Sequence, residues 1–258
     1  MLEVGRGRPS SKLSTESVDN PVHRNSEAAR SRQRQPESSE LNYGTLKIRQ
    51  RAERDTYPEN LSLRVHRALS WLDRAEQLAD DQDGQFIFLW IAFNAAYATE
   101  IEEDAGLSEQ SAFRRFLEKL LSLDSHQRLE ALVWTEFSGS IRVLLDNQYV
   151  FEDFWRFQNG RLEEGQWKKN FAKAKATAHS ALAGRRTEVV LGIVLSRIYT
   201  LRNQLMHGGA TWNSGVNRDQ LRDCVGFMAK LVPLLIEIMM DNPDTLWGAA
   251  CYPVVAAA

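Results

Sequence analysis

From Pro58 to Asp241 apolar residues recur at helical spacing. Leu63, Val65, Leu69, Leu72, Ala75 and Leu78 form one stripe and predict a helix to about Ala79, with Asn60 or Ser62 as its cap. Asp80 to Gly84 reads as a turn, and Gln85 to Glu103 as the next helix. That segment is apolar nearly all round as far as Tyr97, the pattern of a helix at the centre of a bundle. Gly106 and Ser108 open a third helix, with Phe116, Leu117 and Leu120 facing inward. Asp124 and Ser125 open a fourth, carrying Leu129, Leu132, Val133 and Phe137. A short piece spans Ser140 to Asn147, and Tyr149 to Gly160 is aromatic and turn-like. Residues 161 to 182 read as a polar helix, Arg185 to His207 as a long one, and Thr211 to Asn217 as a loop. Asp219 to Met240 is the last helix, with Pro233 inside it and Asn242-Pro243-Asp244 ending it. No strand alternation and no repeat period break this pattern, so the fold class is all-α, a helical bundle.

The flanks differ. Residues 1–55 are rich in Ser, Arg, Glu, Gln and Pro and carry no periodic apolar face. Such a segment buries too little apolar surface to offset its ordering entropy, and it is expected to be a disordered polar arm. The bundle is then expected over 56–241 and a loose tail over 242–258. Within the arm, Arg6-Gly7-Arg8-Pro9 resembles the core of an AT-hook, which lies in the minor groove of A·T-rich DNA. A solvated tail is the simpler reading of four residues, and DNA is not the expected partner.

Composition narrows the function. Hydrophobic residues make up 43% of 258 residues, with seven Trp and eleven Phe, enough for a sizeable core. Thirty-two basic and 34 acidic residues leave a net charge of -2, so any nucleic-acid contact must come from a local patch. Lys168, Lys169, Lys173, Lys175 and His179 are the best such strip, although a solvated charged face is the favoured reading of them. Cys224 and Cys251 have neither zinc nor disulfide spacing, which fits a reducing, cytoplasmic setting. No signal peptide is expected, and the apolar run from Phe86 to Ala98, broken by Asn94, is too short for a bilayer span of roughly 20 residues. No metal centre, cofactor motif, Gly-x-Ser-x-Gly elbow or His-Glu-x-x-His pair is legible.

The stretch that carries chemistry is Ile198 to Gly209, Ile-Tyr-Thr-Leu-Arg-Asn-Gln-Leu-Met-His-Gly-Gly. Two glycines after a periodic run are a helix stop. Arg202 and His207 therefore fall on the last turn of a long helix, about 140° apart around its axis. Asn203 and His207, four apart, share a face. As a structural pair, Arg202 and His207 would only close a helix end, a protonated His suiting the negative end of the dipole. As a functional pair, the His moves protons and the Arg fork holds a phosphate.

Arg202-Asn203-x-x-x-His207 near the end of a helix, in an all-helical chain, resembles the motif of the HEPN superfamily. The stretch Phe88 to Tyr97 is similar to the apolar helix with an embedded Asn found in several HEPN groups. The resemblance covers residues 60 to 241. It implies a metal-independent endoribonuclease with Arg202, His207 and Asn203 at its site. It also implies a homodimer, since two copies of the motif would supply the acid, base and clamp that one copy lacks. Asn94 is expected to be buried and to tie its helix to a neighbour, with Tyr97 in a similar supporting role. A function for Glu100 at the site has no support of its own. RNA is the expected substrate, and a toxin or defence role with a protein antitoxin is compatible with the family. The alternative is a non-catalytic HEPN-like module that binds RNA, a nucleotide or a protein partner.

Overall fold

Asn42 sets where the first helix begins. Its Oδ1 accepts from Thr45 N at 3.0 Å while Thr45 Oγ1 accepts from Asn42 N at 3.2 Å, a reciprocal cap. A computed structural model describes residues 41–97, 109–215 and 218–249. Among them lie ten α-helices and no strand, so the chain is an all-α bundle. The first helix, α1 (Tyr43–Glu53), falls where the sequence predicted a disordered arm to residue 55. The arm expectation is corrected there: Leu46 and Gln50 are buried, and Arg49 pairs with Asp241. Two buried positions in eleven residues are too few to register as a periodic face. The rest of the arm, residues 1–40 with Arg6 to Pro9, lies outside the described residues.

The core is built from α2 (Glu59–Glu76), α3 (Gln82–Tyr97) and α10 (Arg218–Asp241), which pack on one another. Leu61, Val65, Leu69 and Leu72 of α2 are buried, as are Phe86, Leu89 and Phe93 of α3. Helix α10 contributes Leu221, Met228, Leu231, Leu235 and Ile238. The start of α3 precedes the sequence expectation by three residues. Asp81 Oδ1 caps it by accepting from Gly84 N at 3.1 Å, and a Cβ on Gly84 would come within 2.8 Å of Asp81 Oδ2. Gly84 therefore marks a close approach inside the first turn rather than a break. Glu100 and the acidic residues around it lie outside the described residues.

The other elements form a second flank. They are α4 (Glu109–Leu123), α5 (Arg128–Ala131), which continues into a π-turn at Leu132–Glu136, and α6 (Ser138–Asp146). Helix α5 starts later than predicted because Asp124 accepts from Leu129 N and Arg128 Nε, and Gln127 turns through φ 54°. Helices α7 (Glu152–Gln158), α8 (Glu164–Ala183) and α9 (Thr187–Met206) follow. The aromatic segment after Tyr149 is helical in α7 and packs on α8: Phe154 and Phe157 lie 5.3 Å and 6.0 Å from Trp167 between ring centroids. Trp167 is buried in this satellite group, outside the main core. The basic strip of α8 is partly neutralised, with Lys168 paired to Glu164 and Lys175 to Asp146 at 3.0 Å. No described helix is long and apolar enough to cross a membrane.

Candidate functional site

Helix α9 ends as its glycines foretold. His207 is its cap, Gly208 takes φ +71°, Gly208 N donates to Leu205 O at 3.2 Å, and Gly209 N donates to Gln204 O at 2.7 Å. These two bonds are a Schellman closure. The following loop is anchored at a distance. Asn213 N donates to Asp83 Oδ2 at 3.0 Å, and Arg218 Nη2 grips both oxygens of Asp83 at 2.9 Å and 2.7 Å. Asp83 is buried at the start of α3, so the core helix fixes the chain leaving the motif.

Arg202 and Asn203 are brought together. Both are half-buried, and Arg202 Nη1 donates to Asn203 Oδ1 at 2.9 Å. The guanidinium carbon of Arg202 lies 6.0 Å from the Tyr199 ring centroid, and its Nε is enclosed without an acceptor. His207 is exposed, and its backbone N–H donates to Asn203 O at 3.1 Å. Asn203 therefore holds Arg202 through its side chain and His207 through its main chain. Asn94 is half-buried rather than buried. Tyr97 stacks on Phe93 at 5.5 Å and meets Phe116 edge-on at 5.3 Å. Trp90 of α3 meets the motif helix, with its ring 5.9 Å from that of Tyr199.

A cleft of about 230 Å³ opens between α7 and α9. Glu152, Trp155 and Asn159 line one wall, and Tyr199, Thr200, Asn203 and Gln204 the other. Of the motif residues only Asn203 faces it. Tyr199 and Met206 on the last turns of α9 are exposed by 36% and 50%, and Trp212 on the loop that follows by 73%. Tyr199 and Met206, seven positions apart, stand about 20° apart around the helix with Arg202 between them.

Sequence reasoning passed over Arg197. It lies in the middle of α9, only 4% exposed. Its guanidinium stands 4.5 Å from the Phe151 ring centroid and 5.8 Å from that of Phe171. Burial pushes its pKa down to about 10. The signal was one Arg in an apolar helix that comes after an aromatic-rich segment, which is too common to single out. Among the described residues no group of three His, Cys, Asp or Glu is arranged to hold a metal ion. Set against family models, curated proteins and solved structures, the chain matches none.

Proposed function

We propose that the chain is a cytoplasmic, metal-independent endoribonuclease of HEPN type. Its site is composed at a two-fold axis from Arg202, Asn203 and His207 of two copies. The observation that carries this reading is the preorganised α9 end: Arg202 aligned by Asn203, and His207 accessible on a closed turn. The reaction needs no cofactor. A 2′-oxygen attacks the adjacent phosphorus, the bond to the 5′-oxygen breaks, and a 2′,3′-cyclic phosphate and a 5′-hydroxyl result. One His207 takes the proton from the 2′-hydroxyl, and the other gives a proton to the leaving oxygen. The Arg202 forks hold the charge that grows on the phosphoryl oxygens. A toxin or defence role, with an antitoxin covering the helix end, is compatible with this chemistry.

The test is cleavage of single-stranded RNA in excess EDTA. His207→Ala is expected to lose ~10²–10⁴-fold in rate. Arg202→Ala is expected to lose roughly 10²–10³-fold. Arg202→Lys should recover only part of the loss, because Lys lacks the planar fork. One observation favours a second reading, a non-catalytic module: the α7–α9 cleft is lined by neither Arg202 nor His207. If wild type and His207→Ala leave a broad panel of RNAs equally intact, the enzyme reading gives way to that alternative.

A further inference from the structure

The last turn of α9 has no core of its own. From Arg202 to Gly209 no residue is buried, and of these Leu205 packs partly against the main core. A turn held so lightly frays unless groups outside the helix fix it. Gln204 Nε2 supplies one tie, donating to Tyr149 O at 2.6 Å on the exposed side. The other ties come from the chain that follows and run to the start of α3. Trp212 Nε1 donates to Asp81 Oδ1 at 3.2 Å, and Asn213 N donates to Asp83 Oδ2 at 3.0 Å. Arg218 closes this strap. Its Nη2 holds the two oxygens of Asp83 at 2.9 Å and 2.7 Å, and its Nε donates to Ser214 O.

The ties are unequal. Trp212 is 73% exposed, so water competes for its bond to the half-buried Asp81. The Asp83 side chain is 7% exposed, so protein groups must meet its charge. Arg218 and the Asn213 N–H do so, and a carboxylate at the start of α3 also suits the positive end of that helix. Asn213 takes φ 55°, a left-handed backbone conformation that is unfavourable for any residue but glycine and best tolerated by Asn or Asp. Its side chain is exposed, so this conformation serves the backbone, whose N–H it aims at Asp83. Asn213 follows His207 by only six positions, with the Gly208–Gly209 closure between them. We propose that Asp83 is the positioning residue of the α9 end: through Asn213 and Arg218 it fixes the strap, and through the strap the turn that carries His207. Trp212 on Asp81 is the outer catch, which opens first. This inference goes beyond the ribonuclease reading, because it concerns the order of the turn and holds whether or not RNA is cut.

The experiment is native-state amide hydrogen exchange on the full chain, read by NMR. The amides of Gly208 and Gly209, bonded to Leu205 O and Gln204 O, report the turn, and those of Leu231 and Leu235 in α10 report the whole fold. Asp83→Asn removes the charge that Arg218 and Asn213 N meet. It should lower the protection of Gly208 and Gly209 at least about tenfold, the worth of one hydrogen bond to a charged group. Arg218→Lys keeps a charge without the fork and should fall between wild type and Asp83→Asn. Asn213→Pro removes the N–H and forbids the left-handed backbone, so it should match Asp83→Asn, while Asn213→Gly keeps both and should match wild type. Trp212→Phe should lower the turn's protection by a smaller factor. Leu46→Ala is the control: it weakens the core far from the strap and should lower Leu231 and Leu235 while leaving Gly208 and Gly209 unchanged, because the turn opens locally. Turn amides unchanged in Asp83→Asn or in Asn213→Pro overturn the proposal. Turn amides that fall as far in Leu46→Ala as in Asp83→Asn also overturn it, since Asp83 then supports only the fold as a whole. Where RNA is cut, Asp83→Asn should lower kcat more than it raises KM, because the bond from Arg202 to Asn203 lies within α9. A turn that depends on Asp83 in a chain that cuts no RNA fails the ribonuclease reading alone. RNA cleavage by a chain whose turn is indifferent to Asp83 fails this inference alone.

Discussion

Arg49 Nη1 lies 2.6 Å from Asp241 Oδ1, which ties the first described helix to the last residue of α10. The same carboxylate accepts from Arg128 Nη2 at 2.7 Å, so one residue joins α1, α5 and α10. Geometry alone does not make this pair the main support of α1. Both side chains are 30% exposed, and ion pairs open to water are worth about 0–1 kcal/mol. Leu46, 1% exposed, is the stronger tie. Leu46→Ala is expected to cost ~2–5 kcal/mol in chemical denaturation, and Arg49→Ala under about 1 kcal/mol. A Leu46→Ala chain as stable as wild type would show that α1 does not contribute to the core.

Acid should loosen this junction. Burial pushes the Asp241 carboxyl up, but hydrogen bonds from Arg128 and Arg49 outweigh it and hold the group below its ordinary 3.8. The Arg49 hydrogen bond likewise holds Glu53 below 4.5, against its burial. A carboxyl whose folded pKa is depressed adds stability that is complete above its unfolded value and is lost as pH falls through the folded one. The urea midpoint should therefore be flat above about pH 5 and fall below about pH 4.5. Asp241→Asn should lower the plateau and flatten the decline. A midpoint that falls equally steeply in that variant assigns the acid sensitivity to other carboxylates.

Gly208 closes α9, and its substitution tests the helix end directly. With φ at +71°, a Cβ there meets open space but an unfavourable backbone conformation. Gly208→Ala should cost about 1 kcal/mol, read by denaturant midpoint. Gly209→Ala adds a contact instead, since its Cβ would stand 3.0 Å from Gln204 O. Both should lower RNA cleavage, because the turn they close carries His207. Cleavage unchanged in both would separate the position of His207 from activity.

What could be read from the sequence follows from how each element earns its stability. Helices α2, α3, α9 and α10 bury long apolar stripes, and spacing alone located them. Helix α1 buries only Leu46 and Gln50 and is defined by the Asn42–Thr45 cap, a four-residue signal inside a polar segment. Helix α7 has no fully buried residue, so its aromatic run read as a turn. In the site, the α9 end was legible because glycine chemistry is local. The partner of Asn203 was not, because side-chain choice between Arg202 and His207 depends on rotamers rather than on spacing. Arg197 was hidden for a different reason: an unpaired buried charge is visible only once the residues that fail to meet it have positions.

The apolar surface beside the motif should be where two copies meet. Tyr199, Arg202 and Met206 share one side of α9, and Trp212 is exposed on the loop that follows. Apolar surface beside the end of α9 is what a second copy would cover, and a two-fold axis there would supply two Arg202 and two His207 to one cleft. Met206 is 50% exposed, so Met206→Glu should leave the melting temperature of the isolated fold nearly unchanged. In a dimer the same change sets two like charges close together in apolar contact, which should shift light scattering from dimer to monomer. RNA cleavage should fall together with the dimer fraction and return at protein concentrations high enough to restore it. His207→Ala, by contrast, should remain dimeric and inactive at every concentration. The two variants separate assembly from chemistry. Wild type that is monomeric at micromolar concentration yet cuts RNA, with Met206→Glu equally active, would defeat the composite site and leave the proton transfers to a single copy of the motif.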